Sequence, residues 1–407
     1  MRRTRWIGQF CFGLLLLTFA ATGANACFWD RDTLRTEAAG LPGTVDVIIG
    51  WFDRWPTEVY EMRLERVASE LESDPARLDL YDDAAVASDR IGQHDEAIEW
   101  MRLKREQLDA LPQPNTEHEY RYHANLGTML AHRWFAEGAD RDQITELSEA
   151  ARHIEKALEI NPDAHFGRER LQLRFIQWII EAPPKPRYVQ GGVFQSGWGD
   201  DVLYWDDVQY WNDVNSIPAN DAIVGLSGLI VLGNAWESVD VFASMRTALN
   251  SQTHSFLAYL AKLRVDELLS TGRSSANPNN QMTVEQSRFA EFGLGRQDID
   301  EVRTYFEDAR ERANARNELR RKFILDRLAE GRHPDLESEE SFWNGWIEPA
   351  SVVLPNGVNG ISHYQAGLDQ TFRTVAVVVV ILVSAALFLL IMIIRWAIRI
   401  LTSSKTA

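Results

Sequence analysis

Five aspartates and two tryptophans crowd residues 200–213, and both residue types can hold a ligand. YWDDVQ from Tyr204 is echoed at once by YWNDVN from Tyr210, which pairs Trp205 with Trp211 and Asp207 with Asp213. Indoles offer a flat platform for a sugar or peptide, and Asp200, Asp201, Asp206, Asp207 and Asp213 are hard oxygen donors of the kind calcium takes. The D-x-[DN]-x-[DN]-G order of an EF-hand loop is absent, so a second role stays open, in which these side chains cap short helices against a core.

Motifs that carry catalysis are missing. The chain has no HExxH zinc pair, no GxSxG elbow, no GxxxxGK[ST] phosphate loop and no GxGxxG after a strand. Its nine histidines are scattered, and the nearest pairs, His118 with His123 and His153 with His165, lack metal-ligand spacing. Neither a metal nor a cofactor is expected. A carboxylate hydrolase would need a deep cleft with two converging acids, one of them shifted. Binding rather than catalysis is the expected activity, and not an enzyme.

The elements that would position such residues are helical. In LDLYDDAAVASDRIGQHDEAIEWMRLKREQL, Tyr81, Ala84, Ala85 and Ser88 alternate large and small positions, Gly92 marks a turn, and Ala97, Ile98 and Met101 follow on a second helix. YHANLGTML brings Leu126, Gly127 and Leu130, and EAARHIEKALEINPDA brings Ala150, Ile154, Ala157 and Pro162. This pattern resembles the tetratricopeptide repeat, a helix-turn-helix unit that stacks into a solenoid. WFAEGADRDQITELSE inserts extra residues into the second unit and predicts a longer first helix and turn. A third first-helix is read in HFGRERLQLRFIQWII, and EMRLERVASELESD reads as a packing helix on Met62, Leu64, Val67 and Leu71.

The resemblance implies a peptide groove lined by the first helices. The carboxylate clamp of chaperone-binding members asks for Lys, Asn, Asn, Lys and Arg where this chain has Asp82, Val86, Asn125, Ala164 and Arg168, so only Asn125 and Arg168 fit. With Asp79, Asp82 and Asp89 on or near the inner face, the implied partner is a basic or neutral protein segment. Asp82, Val86, Asp89, Asn125 and Arg168 are the groove candidates.

Downstream, AIVGLSGLIVLG and ESVDVFASMRTAL form a further helix pair with close contacts expected at Gly225, Gly228, Ala243 and Ala248. DEVRTYFEDARERANARNELRRKFILDRLAEG predicts a long helix with Val302, Phe306, Ala309, Ala313 and Leu319 on one face. The expected fold is all-α: an α-solenoid of helical hairpins, an irregular Gly/Trp/Asp-rich insertion and one C-terminal transmembrane helix. Its segments are a signal peptide (1–26), an N-terminal part with the packing helix (27–75), repeats (76–182), the insertion (183–221), a second helical region (222–345), a stalk (346–374), a membrane span (375–394) and a basic tail (395–407).

The two ends set the location. Arg2, Arg3 and Arg5 precede an apolar stretch that closes on Ala24-Asn25-Ala26, the order of a secretory leader. Residues 375–394 hold twenty side chains without a charge, enough to span a bilayer, and Arg395, Arg399 and Lys405 follow. A single-pass protein with its body outside the cytoplasm is expected. Cys27 would begin the mature chain; a lipobox asks for a Leu-like residue where Ala24 stands, so acylation stays open. Cys11 leaves with the leader, and one thiol cannot form an internal disulfide. The net charge is −17 although leader and tail hold six basic and no acidic residues, so the body is more acidic still and disfavours nucleic acid. The function read from these features is a membrane-anchored scaffold that binds a protein partner. The alternative is a receptor for a sugar, peptide or calcium using the Trp/Asp stretch.

Overall fold

The computed structural model describes residues 29–162, 168–181, 219–233, 235–251, 254–277 and 296–352. The expected leader, Cys27, the 375–394 run with the residues after it, most of the expected stalk, and Trp205, Asp207, Trp211 and Asp213 lie outside them. Among the described residues every regular element is a helix, and none is long and apolar enough to cross a membrane.

The helices are α1 (Arg31–Ala39), α2 (Thr44–Ile49), α3 (Thr57–Ser73), α4 (Leu78–Arg90), α5 (His94–Asp109), α6 (Thr116–Ala136), α7 (Ile144–Ile160) and α8 (Arg168–Glu181). After a gap come α9 (Ala219–Val231), α10 (Val239–Ser251), α11 (Ser255–Ser270), α12 (Arg296–Ala329) and α13 (Glu339–Phe342). From α3 to α12 each helix packs against the next, and α4 also touches α6. Short loops produce this order within α3–α8 and within α9–α11, because neighbours joined by a few residues have little choice but to fold back on each other. The short α2 wedges against α9, α11 and α12 through Val45, Val47, Ile48 and Ile49, all buried.

Sequence pattern explains most of the packing. In α7 the buried positions Leu147, Ala150, Ala151, Ile154 and Ala157 follow the helical period, so one stripe faces inward and the rest is polar. Gly127 lets α6 and α7 close: a Cβ there would sit 2.8 Å from Ile154 Cδ1 and 2.9 Å from the Ala150 carbonyl oxygen. The extra residues of the second unit go into α6, 21 residues long against 13 in α4, and into a single 3-10 turn at Arg141–Gln143.

Two faces differ from expectation. In α3, Val67 and Leu71 are buried as the pattern predicts, but Met62 is 38% exposed, and Val59, Tyr60 and Arg63 complete the inner stripe. The stripe is rotated because a buried arginine belongs to it. In α12, Val302, Phe306, Ala309 and Ala313 are buried, whereas Leu319 is 56% exposed. The inner line continues through Arg316, Arg320, Ile324 and Leu328 instead. At its far end Ile324, Leu328 and Phe342 meet Val59, so the last long helix returns to the beginning of α3. Trp343 and Trp346, from the segment that follows, lie against Phe323 of α12 with ring centroids 5.7 and 5.5 Å away.

Candidate functional site

The inner faces of α4 and α6 are covered by the chain's own N-terminal segment. Asn125 accepts the Trp29 backbone N–H at Oδ1, 2.7 Å, and its amide donates to Asp82 Oδ1, 2.9 Å, and to the Trp29 carbonyl, 3.4 Å. Lys104 Nζ lies 2.6 and 2.7 Å from the two Asp82 oxygens. Burial raises the Asp82 carboxyl and lowers the Lys104 ammonium, each against the pull of the other, so the dry pair is costly to keep charged. Trp29 meets Tyr120 edge-on at 5.5 Å and carries the Arg121 guanidinium at 4.2 Å. The Tyr120 hydroxyl donates to Glu169 Oε1, 2.8 Å, and burial pushes that carboxyl up to about 7.

The groove candidates are therefore not an open surface. Asp82, Val86, Asp89, Asn125 and Arg168 are each at most 2% exposed. Asp82 and Asn125 meet each other and the Trp29 segment; Val86 lies in the main apolar core. Asp89 is clasped by Nδ1 of His94 and of His132, both at 2.9 Å, and this pairing holds its carboxyl well below the usual range despite burial. Arg168 reaches the Gly228 carbonyl at 3.4 Å. The structure pairs His123 with His153, Nδ1 to Nδ1 at 2.9 Å, a juxtaposition of α6 and α7 that linear spacing hides. Among the described residues no group of three or more His, Cys, Asp or Glu is arranged to hold a metal.

Arg63 is the next hub. Fully buried on α3, it takes Asp32 at 2.7 and 3.1 Å and Asp335 at 2.8 and 2.9 Å, with Asp30 at 3.5 Å from Nη1. Arg31 donates to Asp83 Oδ2 from both Nε and Nη2 while its backbone N–H takes Oδ1, and Arg66 joins Asp335 at 2.7 Å. Asp30 accepts the Thr33 N–H at 2.9 Å and so starts α1. Burial, together with the neighbouring Asp32 charge, raises its carboxyl to about 6, with Arg63 opposing.

Beside this network opens a cavity of about 710 Å³. Asp30, Asp32 and Tyr60 form part of its wall; the stretch Trp51-Phe52-Asp53-Arg54-Trp55 forms another, and Trp236, Arg316, Arg320 and Trp343 come from later elements. Gly50 turns the chain into this stretch at φ +82°, and a Cβ there would strike Trp236 at 2.6 Å. The Arg54 guanidinium lies over Phe52 at 4.3 Å and Trp236 at 4.4 Å. Its side chain is exposed, but the protein around it desolvates the charge in part, and this, aided by the charges of Arg264 and Arg310, pulls it down to about 10. Arg320 lies 3.8 Å over Trp343 and 2.8 Å from Asp53, and burial pulls it also to about 10.

The convergent acids of this wall are engaged. Asp32 is clamped by Arg63, and one oxygen of Asp30 caps a helix while the other faces the same guanidinium. Motif reading missed this site because its parts come from residues 30–60, Arg90, 230–237 and 316–343, none of them a motif. The dense aromatic and charged run GWFDRWP at residues 50–56 was the available signal. Compared with protein-family models, curated proteins and solved structures, the chain has no match.

Proposed function

We propose that this chain is a membrane-tethered binding protein of tetratricopeptide-like helical hairpins, its body outside the cytoplasm, that holds a ligand in the 710 Å³ cavity and does no chemistry on it. The repeat reading draws support from the successive packing of α4, α5, α6 and α7 and from Gly127 at a close crossing. The tether reading rests on the uncharged run at 375–394 and the leader at 1–26. The observation that carries the cavity is a contrast. The groove expected to take a peptide is filled by Trp29 and its neighbours, whereas the cavity is aromatic-walled and of a size that takes small molecules.

A second reading keeps the protein partner. Asn125 grips both backbone groups of Trp29, which is peptide-binding chemistry used in cis, and a basic or neutral segment of another protein could reach these positions only by displacing residues 29–33.

Full-length protein in detergent, screened by saturation-transfer NMR against sugars, amino acids, and aliphatic and aromatic acids, should bind at least one class saturably and return it unaltered. Trp51→Ala should weaken that binding at least tenfold. Absence of a saturable ligand in every class, or conversion of the bound compound, would sink the cavity reading.

A further inference from the structure

We propose that the cavity takes a small organic anion, with its charged head on Arg54 and a flat apolar body against Trp51 and Trp55. The proposal rests on the cavity being a binding site and adds what kind of ligand it selects.

Charge bookkeeping along the wall points to an anion. Asp32 and Asp30 face Arg63; Asp53 bridges Arg316 at 2.7 Å and Arg320 at 2.8 Å; Glu237 pairs with Arg273. Arg90, also on the wall, donates to the Leu232 carbonyl at 2.5 Å, which leaves Arg35 and Arg54, neither of which makes a hydrogen bond or ion pair among the described residues. The wall carboxylate left without an ion pair is Glu339, which is exposed. Among the described residues Arg54 makes ring contacts alone, and a guanidinium resting on an indole keeps its N–H donors free to meet a ligand.

The surroundings sharpen this need. Arg264 and Arg310 sit over the same Trp236 ring at 3.9 and 5.1 Å, and the carboxylate bonded to both is Glu267. Three guanidiniums around one indole make a positive locality in a chain of net charge −17. A carboxylate or phosphate on Arg54 would form charge-assisted bonds, with the Arg264 and Arg310 charges adding to the attraction. A neutral sugar would leave the charge uncompensated. Half-buried Trp51 and Trp55 supply apolar area for a ring attached to that head.

Four probes separate charge from shape: phenylacetate, phenyl phosphate, the neutral phenylacetamide, and acetate, each titrated into full-length protein in detergent by calorimetry. Phenylacetate or phenyl phosphate should bind, whichever is tighter identifying the head group, while phenylacetamide and acetate bind at least tenfold more weakly. Arg54→Gln should cost the preferred anion at least tenfold and leave phenylacetamide unchanged; Arg54→Lys should retain part of the affinity. Circular dichroism checks that the variants fold, and Arg35→Gln, expected to weaken the anion about threefold, gives an independent readout at the second cation. Equal affinity for amide and acid, or an Arg54→Gln protein that binds the anion as well as the parent, would overturn the proposal. If neither anion binds while a neutral compound from the broader screen does, the anion assignment fails and the cavity reading stands; if nothing binds, both fail.

Discussion

Lys104 and Asp82 are both at most 1% exposed, and their shifts in opposite senses indicate that desolvation competes hard with attraction. Such a pair adds little net stability, yet breaking it is expensive, because the survivor is a buried charge without a counterion. Lys104→Met should therefore cost about 3–5 kcal/mol in chemical unfolding followed by tryptophan fluorescence. The double variant Asp82→Leu, Lys104→Met should recover part of that loss, limited by the Asn125 amide, which also bonds Asp82. A single variant as stable as the parent would mean the pair is not dry. Glu169 gives a pH-dependent counterpart. Its folded carboxyl is raised to about 7 from 4.5, so below pH 4.5 both states are protonated and burial costs nothing on this account. As pH rises toward 7 the unfolded chain ionises first, and the folded state loses about 3 kcal/mol relative to it. Glu169→Gln keeps an oxygen for the Tyr120 hydroxyl and removes the titration. Its melting temperature, compared with the parent's, should gain between pH 5 and pH 8; a difference that does not change with pH would refute the burial argument.

At the scale of elements, the approach of α6 to α7 is the contact most tightly specified by one residue. Gly127→Ala places a methyl group against both a side chain and the backbone carbonyl of Ala150, and overpacking of this kind costs about 1–3 kcal/mol. Adding Ile154→Ala removes the side-chain half of the clash only, so the melting temperature should not return to that of Ile154→Ala alone. Full recovery would show that the helices slide apart freely. The helices themselves were legible in the sequence where apolar period carries the information, as in α7. Legibility ends where charge enters the core. The α3 stripe turns toward Arg63 and the α12 stripe runs through Arg316 and Arg320, neither of which an apolar pattern can mark as inward. Asp82 and Asn125 were readable as neighbours on one inner surface, and they do meet. Their occupant was not readable, because Trp29 lies 96 residues from Asn125 and no local rule links them. The cavity was hidden for the same reason, its walls arriving from three distant stretches.

The molecule as a whole is closed by one side chain. Arg63 binds Asp32, 31 residues before it, and Asp335, 272 residues after it, so the N-terminal segment and the turn behind α12 are fastened to the same guanidinium. Burial alone would raise the Asp335 carboxyl; the charge and hydrogen bonds of Arg63, with help from Arg31 and His333, bring it down to about 2 instead. In Arg63→Met these acids would lose their shared counterion, with Arg66 and the more distant Arg31 left on Asp335, so the cost when ionised should fall at the low end for a broken buried pair, about 3 kcal/mol. That penalty belongs to the charged forms. It should be full at pH 7, shrink as pH falls below about 4, where the unfolded carboxyls begin to take up protons, and nearly vanish only below the folded Asp335 value of about 2, a dependence read from paired thermal melts of variant and parent. Because both ends share this residue, hydrogen exchange at pH 7 should show residues 29–43 and 330–345 losing protection together, while α6 and α7, packed by Leu147, Ile154 and Gly127, stay protected. If only one of the two segments opens, Arg63 is not the clasp, and the ends are held by the Val59, Ile324, Leu328 and Phe342 cluster or by Arg31 with Asp83 independently.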